Sequence, residues 1–266
     1  MRTATALTIA GSDSGGGAGV QADLKTFSAL GVYGASAVTA ITAQNTRGVF
    51  GVELASPRMI AAQIEAVLAD LDVAAVKIGM LGGPETIEAV AEGLAGFRGP
   101  VVLDPVMVAK SGCALLPDEA VAALVERLLP RADLLTPNLP EAARLLGVAP
   151  AATPEAAELQ GLALLGLGPR AVLMKGGHAS GPICVDLLVE REGVSRFEAP
   201  RIDTLDTHGT GCSLSSAIAA ELAKGAPLEA AARRAHGWLH GAIRAAGRLK
   251  VGGGRGPVHH FHELWT

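Results

Sequence analysis

Short apolar runs rich in β-branched residues alternate along this chain with longer segments in which apolar residues recur every three or four positions. This alternation is typical of parallel strands joined by crossover helices. The runs are mostly apolar on both faces, as central parallel strands require. The predicted strands are residues 7–12, 35–43, 74–81, 101–107, 133–137 and 171–175. We therefore expect one α/β domain over residues 1–266 with a mostly parallel central sheet.

The segments between these runs predict the covering helices. Acidic residues are concentrated near the N-termini of several of these segments, where the helix dipole stabilises negative charge. Two further segments, 49–55 and 183–199, alternate polar and apolar residues without an intervening helix, so we expect antiparallel strands that flank the parallel sheet. The predicted helices are residues 21–30, 59–71, 85–97, 119–129, 154–167, 211–224 and 228–247.

The composition limits the classes of partner. Hydrophobic residues make up 49% of the chain and charged residues 18%, which indicates a packed globule. The formal net charge of -4 provides no basic surface for nucleic acid or an anionic membrane, so we expect a small-molecule partner. Cys113, Cys184 and Cys212 form no CxxC pair, which disfavours a zinc site or a disulfide framework. No signal peptide precedes the first predicted strand, and we expect a cytoplasmic protein.

A glycine-rich loop over residues 10–19 follows the first predicted strand and precedes a helix. Glycine lets backbone N–H groups approach a ligand closely, and a helix start adds positive potential. The pattern Gly17-x-Gly19-x-x-Ala22 is a relaxed dinucleotide fingerprint, but the acidic residue it requires is missing between Asp23 and Glu53. A nicotinamide cofactor is therefore not expected, and a flexible turn stays the alternative to a ligand loop.

A second glycine turn, Asp206-Thr207-His208-Gly209-Thr210-Gly211-Cys212, leads into a predicted helix of small residues. Its N–H groups would form an anion hole at the helix start, suited to a transferring phosphoryl group. The alternative is a polar helix cap, and the glycines on both sides of Thr210 favour the anion hole.

These two motifs carry a resemblance to a known family. The second motif is similar to the C-terminal motif of ribokinase-like kinases. The stretches 10–27 and 38–46 resemble those of hydroxymethylpyrimidine/phosphomethylpyrimidine kinases of thiamin biosynthesis. The resemblance implies a ribokinase-like three-layer α/β/α sandwich, a homodimer, and ATP with Mg²⁺. It also implies phosphorylation of 4-amino-5-hydroxymethyl-2-methylpyrimidine to its monophosphate and then to the pyrophosphate.

The resemblance assigns substrate-binding residues around the first loop. Gln44 would hydrogen-bond the aminopyrimidine, because its amide offers both an acceptor and donors. Asp23 and the backbone at Gly11 would line the same pocket. Its apolar walls would be Met80, Val106 and Met107, although periodicity alone does not separate such walls from ordinary core residues.

The nucleotide-binding residues implied by the resemblance stand at other predicted strand ends. Asp104 and Glu141 would place Mg²⁺ through water, and Lys175 would neutralise phosphate charge during transfer. Asn138 shares an Asn-x-x-Glu element with Glu141, which is by itself a common helix start. Asp206 opens the second glycine turn and is expected on the nucleotide side.

Cys212 stands where most sugar kinases of this fold carry an aspartate base. The amides of Gly209, Thr210 and Gly211 would stabilise the phosphoryl group, with Cys212 beside the attacking alcohol. We expect its pKa to be lowered at a helix N-terminus, and a role in orienting the alcohol at least as much as in deprotonating it.

Two other functions remain open from the sequence. A pyridoxal or pyridoxine kinase is a related class whose substrate is also a ring with a hydroxymethyl group. Gln44 and the run Gly15-Gly16-Gly17-Ala18-Gly19 favour the pyrimidine. A non-catalytic nucleotide-binding module could keep the glycine loops, but Asp104, Glu141 and Lys175 argue against it.

Overall fold

The computed structural model describes residues 3–108, 112 and 115–265, which form ten strands and eight α-helices. The strands are β1 Thr5–Ala10, β2 Tyr33–Val38, β3 Ala40–Asn45, β4 Gly48–Leu54, β5 Ala75–Ile78, β6 Val101–Leu103, β7 Leu134–Leu135, β8 Val172–Met174, β9 Ile183–Glu190 and β10 Gly193–Pro200. The helices are α1 Gly19–Ala29, α2 Pro57–Asp70, α3 Pro84–Gly93, α4 Asp118–Arg127, α5 Leu139–Leu146, α6 Pro154–Leu165, α7 Thr210–Ala223 and α8 Leu228–Arg244. Cys113 lies outside the described residues.

Eight of these strands form the central sheet, in the order β10-β9-β8-β7-β6-β5-β1-β2. The six strands from β8 to β2 pair in parallel, whereas β9 and β10 form an antiparallel hairpin at the edge. Strands β3 and β4 make a separate antiparallel sheet. The prediction of a mostly parallel sheet with antiparallel flanking strands is confirmed.

Helices cover both faces of the central sheet. Strand residues alternate between the two cores: Val101 and Leu103 pack into one, and Val102 packs into the other. The first core includes Ile64 of α2 and residues of α3 to α6, and the second includes Trp238 of α8 with residues of α1 and α7. The predicted three-layer arrangement is confirmed. In the part of the chain described here, no helix has the length and apolarity needed to cross a membrane.

The apolar stretch 35–43 was predicted as one strand, and this prediction is wrong. The chain breaks at the buried Thr39, whose N–H donates to the oxygen of Ala10 and whose hydroxyl donates to the oxygen of Met80. These two bonds turn the chain out of the central sheet, so β2 ends there and β3 begins the small sheet. The small sheet therefore stands beside the carboxyl ends of β1 and β5.

Helix α5 was missing from the predicted helices, although its start signal was recognised. Asn138 and Glu141 form a complete capping box, in which each side chain accepts from the other residue's backbone N–H. The helix has only eight residues and follows a strand of two, so the stretch over which its apolar pattern can be read is short.

Candidate active site

The carboxyl ends of the parallel strands open into a cleft of about 790 Å³. Ligands of open α/β sheets gather at this edge, because loops from successive strands meet there. Thirteen of the fifteen predicted site residues line the cleft; Asp23 and Asp206 do not. The thirteen are Gly11, Gln44, Met80, Asp104, Val106, Met107, Asn138, Glu141, Lys175, Gly209, Thr210, Gly211 and Cys212.

The two glycine turns meet across this cleft. Gly209 adopts a φ of 79°, and a β-carbon there would overlap the backbone oxygen of Gly17. Gly17 in turn packs against the ring of His208, so a β-carbon at Gly17 would collide with it. Only glycine permits an approach this close, which explains the composition of both turns. The convergence expected from the sequence is confirmed.

A hydrogen bond between the side chains of Asp13 and His208 fastens the two turns together. Oδ2 of Asp13 lies 2.8 Å from Nε2 of His208, and the same carboxylate accepts from the N–H groups of Gly15, Gly17 and Ala18. Burial raises the pKa of Asp13, but the bonds from His208 and the backbone outweigh it, and the net pKa is lowered. Sequence reasoning missed this pair, since nothing local links residues so distant in the chain.

Asp104, Lys175 and Glu141 form a charged group at the phosphate end. Lys175 Nζ lies 2.7 Å from Asp104 Oδ1 and 3.9 Å from Glu141 Oε2. Burial raises the pKa of Glu141 to about 7, with Lys175 opposing the rise and Asp104 adding to it. Burial lowers the pKa of Lys175, but Asp104 and Glu141 outweigh this effect and the net pKa is raised. Lys175 therefore stays charged.

The start of α7 lies directly beside this charged group. A β-carbon at Gly211 would be 3.4 Å from Lys175 Nζ and 3.6 Å from Asp104 Oδ2. Helix N-termini attract anions through their free N–H groups and dipole. A phosphate at this turn would therefore contact both the backbone amides and the Lys175 ammonium.

The same residues fit a magnesium ion held partly by phosphate. No group of three or more His, Cys, Asp or Glu side chains converges as a metal site within residues 3–108, 112 and 115–265. Asp104 and Glu141 supply two carboxylates, and Mg²⁺ commonly binds through one or two carboxylates plus waters and substrate phosphates. The donor set suits an ion that arrives with the nucleotide.

Cys212 is the third residue of α7, and the expected lowering of its pKa is wrong. Burial raises the pKa of the thiol to about 11; Lys77 opposes this, while Asp23 and Asp104 add to it. A helix N-terminus does favour a thiolate, but loss of hydration and two nearby carboxylates disfavour it more. Cys212 is therefore a thiol at neutral pH.

Asp23 was expected to line the substrate pocket. In the structure it lies beneath the cleft and does not line it. Its carboxylate is fully buried and accepts from Lys77 Nζ at 2.8 Å, Thr8 Oγ1 at 2.6 Å and Ser216 Oγ at 2.6 Å. These bonds join β1, β5 and α7 to α1. Lys77 was not among the predicted site residues, although a lysine within an apolar strand is itself a signal of a buried partner.

Asp206 also lies outside the cleft. Its Oδ1 accepts from the N–H of Gly256 at 2.9 Å, and the oxygen of Gly256 accepts from the N–H of His208 at 3.1 Å. Asp206 therefore braces the second glycine turn against the C-terminal segment. Its predicted nucleotide contact stays a prediction.

The cleft also contains residues that the sequence did not single out. Asp186 accepts from the N–H of Gly176 at 2.8 Å and lies 3.9 Å from His236 Nε2. Burial raises the pKa of Asp186, and burial lowers that of His236. The hydrogen bond from Gly176 to Asp186 fixes the loop that follows Lys175. Ile202, Leu239 and Ile243 contribute apolar side chains to the lining of the cleft.

An anion-binding helix start beside a partly buried lysine, at the open edge of a parallel sheet, is the arrangement of a phosphoryl-transfer enzyme, and this protein is a small-molecule kinase. The family model described as phosphomethylpyrimidine kinase matches residues 13–259. The chain belongs to the phosphomethylpyrimidine kinase family.

Individual relatives agree with this assignment. The hydroxymethylpyrimidine/phosphomethylpyrimidine kinase of Rhizobium meliloti (strain 1021) is 59% identical over 263 residues, which cover 99% of each chain. The structure of phosphomethylpyrimidine kinase from Clostridium difficile 630 is 45% identical with a TM-score of 0.80, over 90% of this chain and 99% of that one. An ADP complex of Bacillus subtilis pyridoxal kinase is 36% identical with a TM-score of 0.89, over 97% and 98%.

Proposed function

We propose that this kinase uses ATP to phosphorylate 4-amino-5-hydroxymethyl-2-methylpyrimidine to its monophosphate and then to the pyrophosphate, in thiamin biosynthesis. One observation carries the proposal: Gln44 and the Gly209–Cys212 turn line the same cleft, so an alcohol held by one faces a phosphate held by the other. Family membership supports the same activity.

The pyrimidine lies at the Gln44 end of the cleft. The Gln44 amide pairs with the amino group and the neighbouring ring nitrogen, and Met80, Val106 and Met107 contact the ring faces. Gly11 belongs to this pocket because a β-carbon there would lie 2.9 Å from Met80 Sδ. In this arrangement the hydroxymethyl group faces Cys212, which lines the same cleft.

The triphosphate lies between the anion hole and Lys175. The N–H groups of Gly209, Thr210 and Gly211 stabilise the charge that develops on the transferring phosphoryl group. Asp104 and Glu141 would hold Mg²⁺ through its waters, and the ion would neutralise phosphate charge. Lys175 stays protonated, and its ammonium group follows the phosphoryl group as that group is transferred.

Cys212 orients the alcohol and is not the main base. With a pKa of about 11, its thiol is protonated at neutral pH, so it donates a weak hydrogen bond to the hydroxymethyl oxygen. Phosphoryl transfer through a loose transition state requires little early deprotonation of the alcohol. Measured kcat values for Cys212→Ala and Cys212→Ser test this; activity of both within about threefold of wild type removes Cys212 from the chemistry.

A coupled assay of ADP release tests the function directly. The hydroxymethylpyrimidine is the first acceptor and the isolated monophosphate is the second, with products identified by ³¹P NMR. Consumption of both acceptors is expected, and failure to consume the monophosphate rejects the second step. Failure with both rejects the proposal.

A pyridoxine kinase is the second candidate, since the chain is similar in structure to pyridoxal kinase from Bacillus subtilis. Gln44 favours the pyrimidine, and kcat/KM for the two alcohols under the same conditions measures the preference. If the protein were a non-catalytic nucleotide-binding module, ATP would raise its melting temperature but would not be hydrolysed or transferred to either alcohol.

The protein works as a cytoplasmic homodimer without nucleic acid or membrane partners. Exposed apolar side chains on the small sheet, Ile41, Phe50 and Val52, support self-association through that sheet. Light scattering of wild type and Phe50→Glu tests this assembly, since a monomeric wild type contradicts it.

A further inference from the structure

The side-chain amide of Gln44 lies between two polar neighbours that determine which way round it sits. Its nitrogen is placed 3.3 Å from His208 Nε2, and its oxygen 3.4 Å from Thr42 Oγ1. Because the two amide atoms are nearly alike in shape, their identities follow from the hydrogen bonds around them. The orientation can therefore be worked out from His208 and Thr42.

His208 presents a donor to Gln44. Its Nε2 lies 2.8 Å from Oδ2 of Asp13, a carboxylate that accepts three backbone N–H bonds and has a lowered pKa, so it carries no proton to donate. The hydrogen between the two side chains is therefore on His208 Nε2. A protonated Nε2 cannot accept from the Gln44 NH₂ group, but it can share its hydrogen with the amide oxygen.

Thr42 presents an acceptor to Gln44. The Thr42 hydroxyl has one hydrogen, and its shorter bond is to the backbone oxygen of Ser12 at 2.9 Å. Only lone pairs of Oγ1 are left to face Gln44, and lone pairs match an amide NH₂ group. Both neighbours thus require the oxygen of Gln44 toward His208 and its nitrogen toward Thr42.

We propose that His208, held by Asp13, fixes this orientation of the Gln44 amide and thereby selects a substrate ring with an amino group beside a ring nitrogen. The proposal deepens the proposed function and rests on it. His208 and Thr42 each occupy one side of the planar amide. The remaining lone pair of the amide oxygen and the remaining N–H both point away from the Gln44 side chain. There the oxygen accepts from the amino group of the substrate and the N–H donates to the ring nitrogen.

This fixed orientation matters more for an aminopyrimidine than for pyridoxine. An amino group beside a ring nitrogen pairs with the amide in one orientation only, because donor and acceptor positions are set. A ring hydroxyl both donates and accepts, so it tolerates either orientation. His208 is therefore a positioning residue for specificity, acting through Gln44.

A double-mutant cycle with His208→Ala and Gln44→Ala tests the proposal. His208→Ala should raise the KM for the hydroxymethylpyrimidine on the order of tenfold, the cost of one misplaced hydrogen-bonding group. The inhibition constant of pyridoxine as a competitor should stay within about twofold, since it does not depend on the amide orientation. In the Gln44→Ala background, the His208 substitution should change the KM by less than about twofold.

Two further variants separate specificity from folding. His208→Gln keeps a side-chain N–H donor and should recover part of the loss, and it carries the test if His208→Ala does not fold. His262→Ala is the matched control, because His262 packs against Trp238 away from the cleft. Equal losses for both rings, or additive effects in the cycle, would overturn the proposal. A wild type that does not phosphorylate the hydroxymethylpyrimidine would contradict the proposed function itself.

Discussion

The ammonium of Lys77 lies 2.8 Å from the carboxylate of Asp23, and both side chains are fully buried. Two desolvated charges stabilise each other only as a pair, so removal of one leaves the other uncompensated. Lys77→Met should lower the free energy of unfolding by about 3–5 kcal/mol, measured by urea denaturation. The double variant Lys77→Met with Asp23→Leu should be more stable than the single variant.

The exposed pair Arg127 and Glu88 provides a control. Arg127→Ala should leave the urea midpoint nearly unchanged, because water already solvates both charges. A Lys77→Met protein as stable as wild type would contradict the role assigned to the pair.

Gly209→Ala should lower kcat on the order of a hundredfold, because a β-carbon at this position displaces the anion hole from the first glycine loop. Steady-state kinetics with saturating ATP measures the loss. Gly237→Ala is the control, since a β-carbon there meets no atom within 4 Å. In the middle of α8, that substitution should keep kcat and add about 0.5–1 kcal/mol of stability.

Lys175→Met should lower kcat by about 10²–10³-fold, as removal of one electrostatic partner of a transition state does. The Kd of the hydroxymethylpyrimidine should not change, because Lys175 contacts Asp104 at the phosphate end. Calorimetry and initial rates measure the two quantities. Lys224→Met, at a surface pair with Glu221, should behave as wild type. A large loss of pyrimidine binding in Lys175→Met would contradict this division of the cleft.

Alkylation of Cys212 should be slow at neutral pH. Its pKa of about 11 leaves little thiolate there, and the thiolate is the reactive form. In a background with Cys113→Ser and Cys184→Ser, the rate with iodoacetamide should rise about tenfold per pH unit until the pH nears that pKa. A plateau near pH 7 would show a stabilised thiolate instead.

The buried His260 should make stability depend on pH. Its Nε2 lies 3.0 Å from Ser213 Oγ, and burial lowers its pKa to about 3, against roughly 6.5 when unfolded. Between these values the unfolded chain binds a proton that the folded chain does not. Stability should therefore fall as the pH drops below about 6.5, and the fall should be shallower in His260→Gln. Urea unfolding at pH 8, 6.5 and 5 measures the slopes, with His240→Gln as control.

Much of the fold followed from local patterns. Apolar runs predicted the strands of the central sheet, since a strand buried on both faces is apolar throughout. The break at Thr39 could not be predicted, because residues 35–43 contain no Gly or Pro to mark it and the partners Ala10 and Met80 are distant in sequence. Helix α5 was missed because its eight residues make only about two helical turns.

The site was predictable where residues follow strands. Asp104 and Lys175 come directly after β6 and β8, and such residues meet at one edge of a parallel sheet. The partners of Asp23 and Asp13 were not predictable, because Lys77 and His208 are distant in sequence. The prediction of a lowered pKa for Cys212 was wrong because it used only the helix start, which is local in sequence, whereas the burial of the thiol depends on the whole fold.

The bond between Asp13 and His208 spans 195 positions of the chain. Because the cleft is built from both turns, it is complete only after residue 208 has been synthesised and has folded against residue 13. A chain truncated before His208 therefore lacks one of the two turns that form the cleft. In refolding experiments, recovered turnover should mark completion of the native structure.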